Sequence, residues 1–124
     1  MITGVGIDTV HVKRMERWQA DSKLKERYFR EEELEYVSSR AGSSTQSLAA
    51  RFAAKEAFGK ALGTGLSGIA LKDITVVNRK NGSPELKVYG TALLAFEKSG
   101  ANRAHISLSH DNDNAIAMVV LEKA

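Results

Sequence analysis

The stretch Arg51–Gly65, RFAAKEAFGKALGTG, decides how the rest of this 124-residue chain is read. At 3.6 residues per turn, Leu48, Phe52, Gly59 and Leu62 share one helix face, while Ala49, Ala50, Ala53, Ala54, Ala57 and Ala61 fill most of the other. A surface helix segregates its charges opposite an apolar stripe, whereas Lys55 sits in the middle of this one, flanked by Arg51, Glu56 and Lys60. A buried charge without a partner is costly. Three cations and one carboxylate among small apolar side chains therefore point to a bound anion, a metal ion, or both. The plainer alternative is an i,i+4 pair between Glu56 and Lys60, worth about 0.2–0.5 kcal/mol, with the other charged side chains snorkelling to water.

Outward from this helix, the polar run AGSSTQS (Ala41–Ser47) offers Ser44 or Thr45 as N-cap, and Gly63, Gly65 and Gly68 supply the stop. Gly63-Thr64-Gly65 could present backbone N–H groups to an anion. It is no P-loop, because the glycines end a helix and no Gly-Lys-Ser/Thr follows. Ile2–Val12 reads as a strand, with Gly4 and Gly6 marking a bulge or close backbone approach. Asp8 in that strand must be hydrogen-bonded, ion-paired or bound to a cation, and His11 reads as an edge residue. Lys13–Ala20, Lys23–Phe29 and Arg30–Ser39 read as short helices. Ile69–Asn78 and Glu85–Tyr89 form a hairpin around Asn81-Gly82, Gly90–Ser99 a helix, and His105–Ser109 and Ala115–Glu122 a second hairpin. Antiparallel strands beside helices give an α+β domain, an antiparallel sheet with a long central helix and flanking short helices.

Length and a 43% hydrophobic content suit one globular domain over residues 1–124. The chain has no cysteine, which excludes disulfides and thiol chemistry and fits a reducing compartment. No apolar run approaches the ~18 residues of a membrane span, and MITGVGIDTV lacks a signal-peptide pattern, so a cytoplasmic protein without membrane association is expected. The net charge of +3 is modest for a nucleic-acid binder. The cations cluster between Lys13 and Arg30, a surface able to steer an anionic partner. Only Trp18, Tyr28 and Phe29 interleave with them, a weak stacking platform that speaks against single-stranded nucleic acid.

Three islands, Gly6-Ile7-Asp8, Arg51–Gly65 and Ser107-Leu108-Ser109-His110, occur in this order with Tyr28-Phe29, Glu33-Leu34 and Tyr36 between the first two. Together they resemble the holo-[acyl-carrier-protein] synthase family of 4'-phosphopantetheinyl transferases, nearly end to end. The resemblance implies Mg²⁺-dependent transfer of 4'-phosphopantetheine from coenzyme A to a serine of apo acyl carrier protein, releasing adenosine 3',5'-bisphosphate. It implies Asp8 and Glu56 as metal ligands and Lys60 against the pyrophosphate. Arg51 and His110 match positions for the coenzyme A phosphates, and Gly63, Thr64 and Gly65 the loop flanking the nucleotide. It further implies Glu56, or water it orients, as acceptor of the serine proton, with His110 as the other candidate. Lys13, Arg14 and Arg17 would dock the acidic carrier protein, and the short class forms homotrimers with sites between subunits.

The chain departs from the family pattern at His11, where many relatives place an acid. It also departs at Asp111–Asn114, which replaces a lysine-containing turn, and over Ala41–Ser47, where Arg40 stands as a substitute for missing basic residues. Two rival readings are a noncatalytic module for an anionic ligand, which predicts salt-sensitive binding without metal, and a relative serving peptidyl or polyketide carriers.

Overall fold

The structure, a computed structural model, describes all 124 residues. Its elements run β1 (Ile2–His11), a 3-10 turn (Val12–Met15), α1 (Glu16–Gln19), α2 (Ser22–Tyr28), α3 (Glu31–Ser39), α4 (Ser44–Leu62), a 3-10 turn (Leu71–Asp73), β2 (Ile74–Asn78), β3 (Pro84–Val88), α5 (Gly90–Lys98), β4 (Arg103–His110) and β5 (Asn114–Glu122). The architecture is α+β with antiparallel pairing throughout, split into a three-stranded sheet in the order β1-β5-β4 and a separate β2-β3 hairpin.

Two glycines set how the sheet meets the long helix. A β-carbon on Gly4 would stand 1.9 Å from the Ala61 carbonyl oxygen, and one on Gly6 2.0 Å from that of Ala57. Only glycine allows β1 to lie this close to α4. The strand therefore runs antiparallel to the helix, and Asp8, two residues further on the same face, arrives beside the middle of α4. The register with β5 shifts between Ile2 and Gly4, which realises the irregularity expected from the glycines.

α4 is enclosed on nearly all sides: its alanines, Leu48, Phe52 and Phe58 belong to the main core with Val10, Met15, Phe29, Ile74, Val119 and Leu121. Trp18 packs tilted against Tyr28 and Phe52 and edge-on to Phe29, so the aromatic residues of the basic segment turn inward. The other face of the three-stranded sheet carries Val5, Ile7, Ile116 and Met118, which are 58%, 56%, 40% and 41% exposed. No helix is long and apolar enough to cross a membrane.

Three expectations are corrected. The first hairpin strand begins at Ile74, not Ile69, because the segment before it turns as a 3-10 helix and gives its Leu71 carbonyl to a side chain of α4. The residue preceding α4 is Ser43 rather than Ser44 or Thr45, and no side chain caps the helix. The ordinary Glu56–Lys60 pair, the plainer of the two alternatives for this helix, is not formed, since Lys60 reaches instead across to β1.

Candidate active site

Asp8, Glu56 and Lys60 form the first charged cluster. Lys60 Nζ donates to Asp8 Oδ1 at 2.9 Å and to the Ile7 carbonyl at 3.0 Å. Half-burial pushes the Glu56 carboxyl above its ordinary range, and the nearby Asp8 charge pushes it further, with Arg14 and Lys60 opposing. Two carboxylates thus share a site with one ammonium between strand and helix. No cluster of three or more acidic or histidine groups exists to make a closed cage. A pair of carboxylates fits Mg²⁺, which takes one or two of them and completes its shell with water and substrate phosphate. The Lys60 ammonium marks where positive charge is favoured.

The second cluster surrounds Arg51, one turn and more toward the start of α4. Its side chain is buried, donates to Ser47 Oγ at 3.1 Å and to the side-chain Oδ1 of Asn78, and lies over the Tyr36 ring at 4.3 Å. Burial lowers its pKa, while Glu33 and Tyr36 pull it back up. The guanidinium Nε is buried without a hydrogen-bond partner. It borders a cleft of about 190 Å³ lined by Tyr36, Arg40, Asn78, Gly82 and His110 among others. Two arginines and a histidine around one cleft suit a phosphate group. A larger cavity of about 610 Å³ lies between α2 and α3, but Glu26, Glu31 and Glu35 line it, the wrong sign for a polyanion.

The two clusters do not share a cavity. Arg51 and Lys60 are nine residues apart, about 13 Å along the axis, and neither Asp8, Glu56 nor Lys60 lines the arginine cleft. Gly63 caps α4 in the left-handed conformation at φ 81°. The Gly63 and Gly65 amides donate to the carbonyls of Lys60 and Gly59 at 3.0 Å each. The loop therefore offers an anion Thr64 rather than the nest of amides the glycines alone would predict. Lys13, Arg14 and Arg17 are exposed as expected of a docking surface, although Arg14 also stacks on Phe52 and acts on Glu56. His11 ends β1 exposed, and Asp111 holds the β4-β5 turn by accepting from the amides of Asp113 and Asn114.

Sequence reasoning missed Glu33 and Asn78. Lys55 is not waiting for a ligand: its fully buried ammonium donates to Glu33 at 2.9 Å, to the Leu71 carbonyl at 3.0 Å and to the Ile74 carbonyl. Burial lowers the Lys55 pKa and Glu33 opposes the shift. The sequence signals for Glu33 were its place in the family resemblance and an acid one helix upstream, in a segment carrying three others, and neither named Lys55 as its partner.

The family model of the 4'-phosphopantetheinyl transferase superfamily matches residues 4–119. A holo-[acyl-carrier-protein] synthase of Treponema denticola is 57% identical over 122 residues, covering 98% of this chain and 99% of the relative. The chain belongs to the holo-[acyl-carrier-protein] synthase family. Among solved structures, the Neisseria meningitidis holo-[acyl-carrier-protein] synthase superposes with a TM-score of 0.85 at 38% identity, covering 99% of this chain and 100% of that one. The Bacillus anthracis synthase, solved in complex with CoA (3',5'-ADP), superposes at 0.82 and 36% identity, covering 100% and 99%. As a member of this synthase family the protein is an enzyme, a 4'-phosphopantetheinyl transferase.

Proposed function

We propose that this synthase transfers 4'-phosphopantetheine from coenzyme A to a serine of apo acyl carrier protein, requires Mg²⁺, and releases adenosine 3',5'-bisphosphate. The carrying observation is the Asp8–Glu56 pair, two acids distant in sequence that the fold brings together beside Lys60, near enough for the Asp8 charge to push up the Glu56 carboxyl. When bound between them, Mg²⁺ supplies Lewis acidity and a template for the pyrophosphate oxygens. Lys60 leaves Asp8 to meet the pyrophosphate as a point charge, and Arg51 with His110 holds phosphate in the cleft as a forked donor and a ring N–H. Glu56, or water it orients, takes the serine proton as the serine oxygen attacks phosphorus and the bond to the departing bisphosphate breaks. Thr64 and its flanking glycines border the nucleotide. Residues 1–124 act as one domain, which the contiguous core supports. The cysteine-free composition fits a cytoplasmic setting.

A single chain leaves the metal pair and the phosphate cleft apart, and it exposes an apolar sheet face at Val5, Ile7, Ile116 and Met118. Both features support a homotrimer in which one subunit's acids face its neighbour's cleft. Lys13, Arg14 and Arg17 lie on the turn and helix following β1 and carry the positive charge that an acidic carrier protein would meet. The test is to mix the protein with coenzyme A, Mg²⁺ and apo carrier protein and weigh the carrier. A gain of one phosphopantetheine is expected, and no gain under these conditions would reject the reading. Light scattering tests the assembly: three copies are expected, and Ile7→Lys should reduce them to one.

A further inference from the structure

α4 presents an unusual problem of rotation. Its alanines make much of its circumference nearly equivalent for packing, so apolar contact alone sets the roll of the helix weakly. Yet Glu56 and Lys60 must project toward β1. With a side-chain tip about 5–6 Å from the axis, a roll of about 20° would move it about 2 Å. That is as long as a Mg²⁺–oxygen bond, and octahedral Mg²⁺ tolerates little misplacement.

Buried polar contacts fix this roll: Arg51 ties the first half of the helix to Asn78, and Lys55 holds the turn that carries Glu56. Lys55, the residue before Glu56, projects about 100° away from it and ends on Glu33, Leu71 and Ile74. Glu33 is itself immobilised: Oε1 accepts from the Arg30 amide at 3.0 Å as well as from Lys55, and Oε2 accepts from the Val76 amide at 3.1 Å. Both partners are entirely buried. The carboxylate thus ties α4 to the first turn of α3 and to the central residue of β2 with three donors, leaving the pair a single arrangement. Gly4 and Gly6 press on the helix from the strand side. The roll is held from two directions.

We propose that Glu33 is a positioning residue for the metal site, acting through Lys55 to orient Glu56 and Lys60 on α4. The inference rests on the Mg²⁺-dependent reading above. It differs from a purely structural role in one respect: breaking the pair must weaken metal binding in protein that is still folded.

The test is calorimetric titration of the whole protein with Mn²⁺ in the presence of coenzyme A, well below the unfolding temperature, for the wild type and Lys55→Met. The Mg²⁺ concentration giving half-maximal transfer is measured alongside. The variant should be folded by circular dichroism, bind Mn²⁺ about tenfold more weakly and need about tenfold more Mg²⁺, in line with losses from removing groups that orient metal ligands. Should Lys55→Met not fold, the double variant Glu33→Gln/Lys55→Met, which leaves no unpaired buried charge, answers the same question. A folded variant with Mn²⁺ affinity and Mg²⁺ requirement within twofold of wild type overturns the proposal and leaves the metal reading intact. A wild type that binds no Mn²⁺ removes that reading, and the positioning role with it.

Discussion

Two lysines on α4 end on acids, and the two pairs could hardly differ more. Lys55 and Glu33 are wholly buried, and every polar atom of their charged groups has a partner. Lys60 and Asp8 meet at the same 2.9 Å, but with 53% and 18% of their side chains exposed, and beside Glu56, a second carboxylate that remains imperfectly compensated. The closed pair consumes its electrostatic potential in holding the fold. The open one keeps a surplus of negative charge at a position where a cation and a phosphate can still be added. Length, chemistry and helix are shared, so burial and stoichiometry of charge separate the two roles.

The sharpest way to break this contrast is to delete the open cluster. Asp8→Ala and Glu56→Ala are each expected to lower transfer by at least about 10²-fold, the scale of removing one preorganised electrostatic group, with circular dichroism unchanged. Loss of helical signal in step with activity would place these acids on the structural side. Stability should respond in the opposite sense. Lys55→Met leaves Glu33 buried and unpaired, a loss of about 3–5 kcal/mol, whereas Lys60→Met removes an exposed pair worth at most about 1 kcal/mol. Urea midpoints for the two variants test this directly, and equal shifts would erase the distinction. Gly6→Ala sits between the two regions: its β-carbon would meet the Ala57 carbonyl at 2.0 Å. It should cost about 1–3 kcal/mol by overpacking and lower activity as β1 is pushed off the helix.

Smaller effects sharpen the edges of the open cluster. Arg17→Glu should raise KM for carrier protein several-fold and leave that for coenzyme A alone. Arg14→Glu should disturb both, because Arg14 acts on Glu56. If the two variants behave alike in steady-state kinetics, docking and metal site are not separable. The mildest change concerns Asp73, at the edge of the closed pair, where the Lys55 charge still reaches it. Hydrogen bonds from the Thr91 side chain and amide hold its carboxyl below the usual range, with the Arg30 charge assisting. A lowered carboxylate pKa contributes stability above its unfolded value that is lost as pH falls through the folded one. Thr91→Val should therefore lower stability slightly at neutral pH, with the difference from the wild type shrinking as pH falls through the Asp73 titration, which urea midpoints measured across that range would show.

Much of this architecture was legible because it depends on local chemistry. Asn81-Gly82 turned the first hairpin, Gly63 stopped α4, and Gly4 and Gly6 announced the close approach of β1. Reading failed where a partner lay far along the chain. Glu33 and Lys55 are 22 residues apart, and Arg51 and Asn78 are 27 apart. Spacing on one helix could show that Lys55 needed compensation but not what supplied it, and it attributed to a ligand what another helix provides. The same long-range contact shortened β2, since the carbonyl at Leu71 is drawn to Lys55 and the apolar run Ile69–Leu71 never enters a ladder. Asp8 and Glu56 were legible as candidates through the family resemblance. Their meeting depends on the glycine-mediated strand and helix packing, which no periodicity encodes.

The central claim is that Asp8 and Glu56 together hold one divalent ion that also grips the pyrophosphate of coenzyme A. Its most direct test is the anomalous scattering from a crystal of the protein grown with Mn²⁺ and coenzyme A. The account predicts a single strong peak within coordination distance of both carboxylates and of a pyrophosphate oxygen. A peak bound to only one of these acids, or none near Lys60 while coenzyme A occupies the Arg51 cleft, would contradict it.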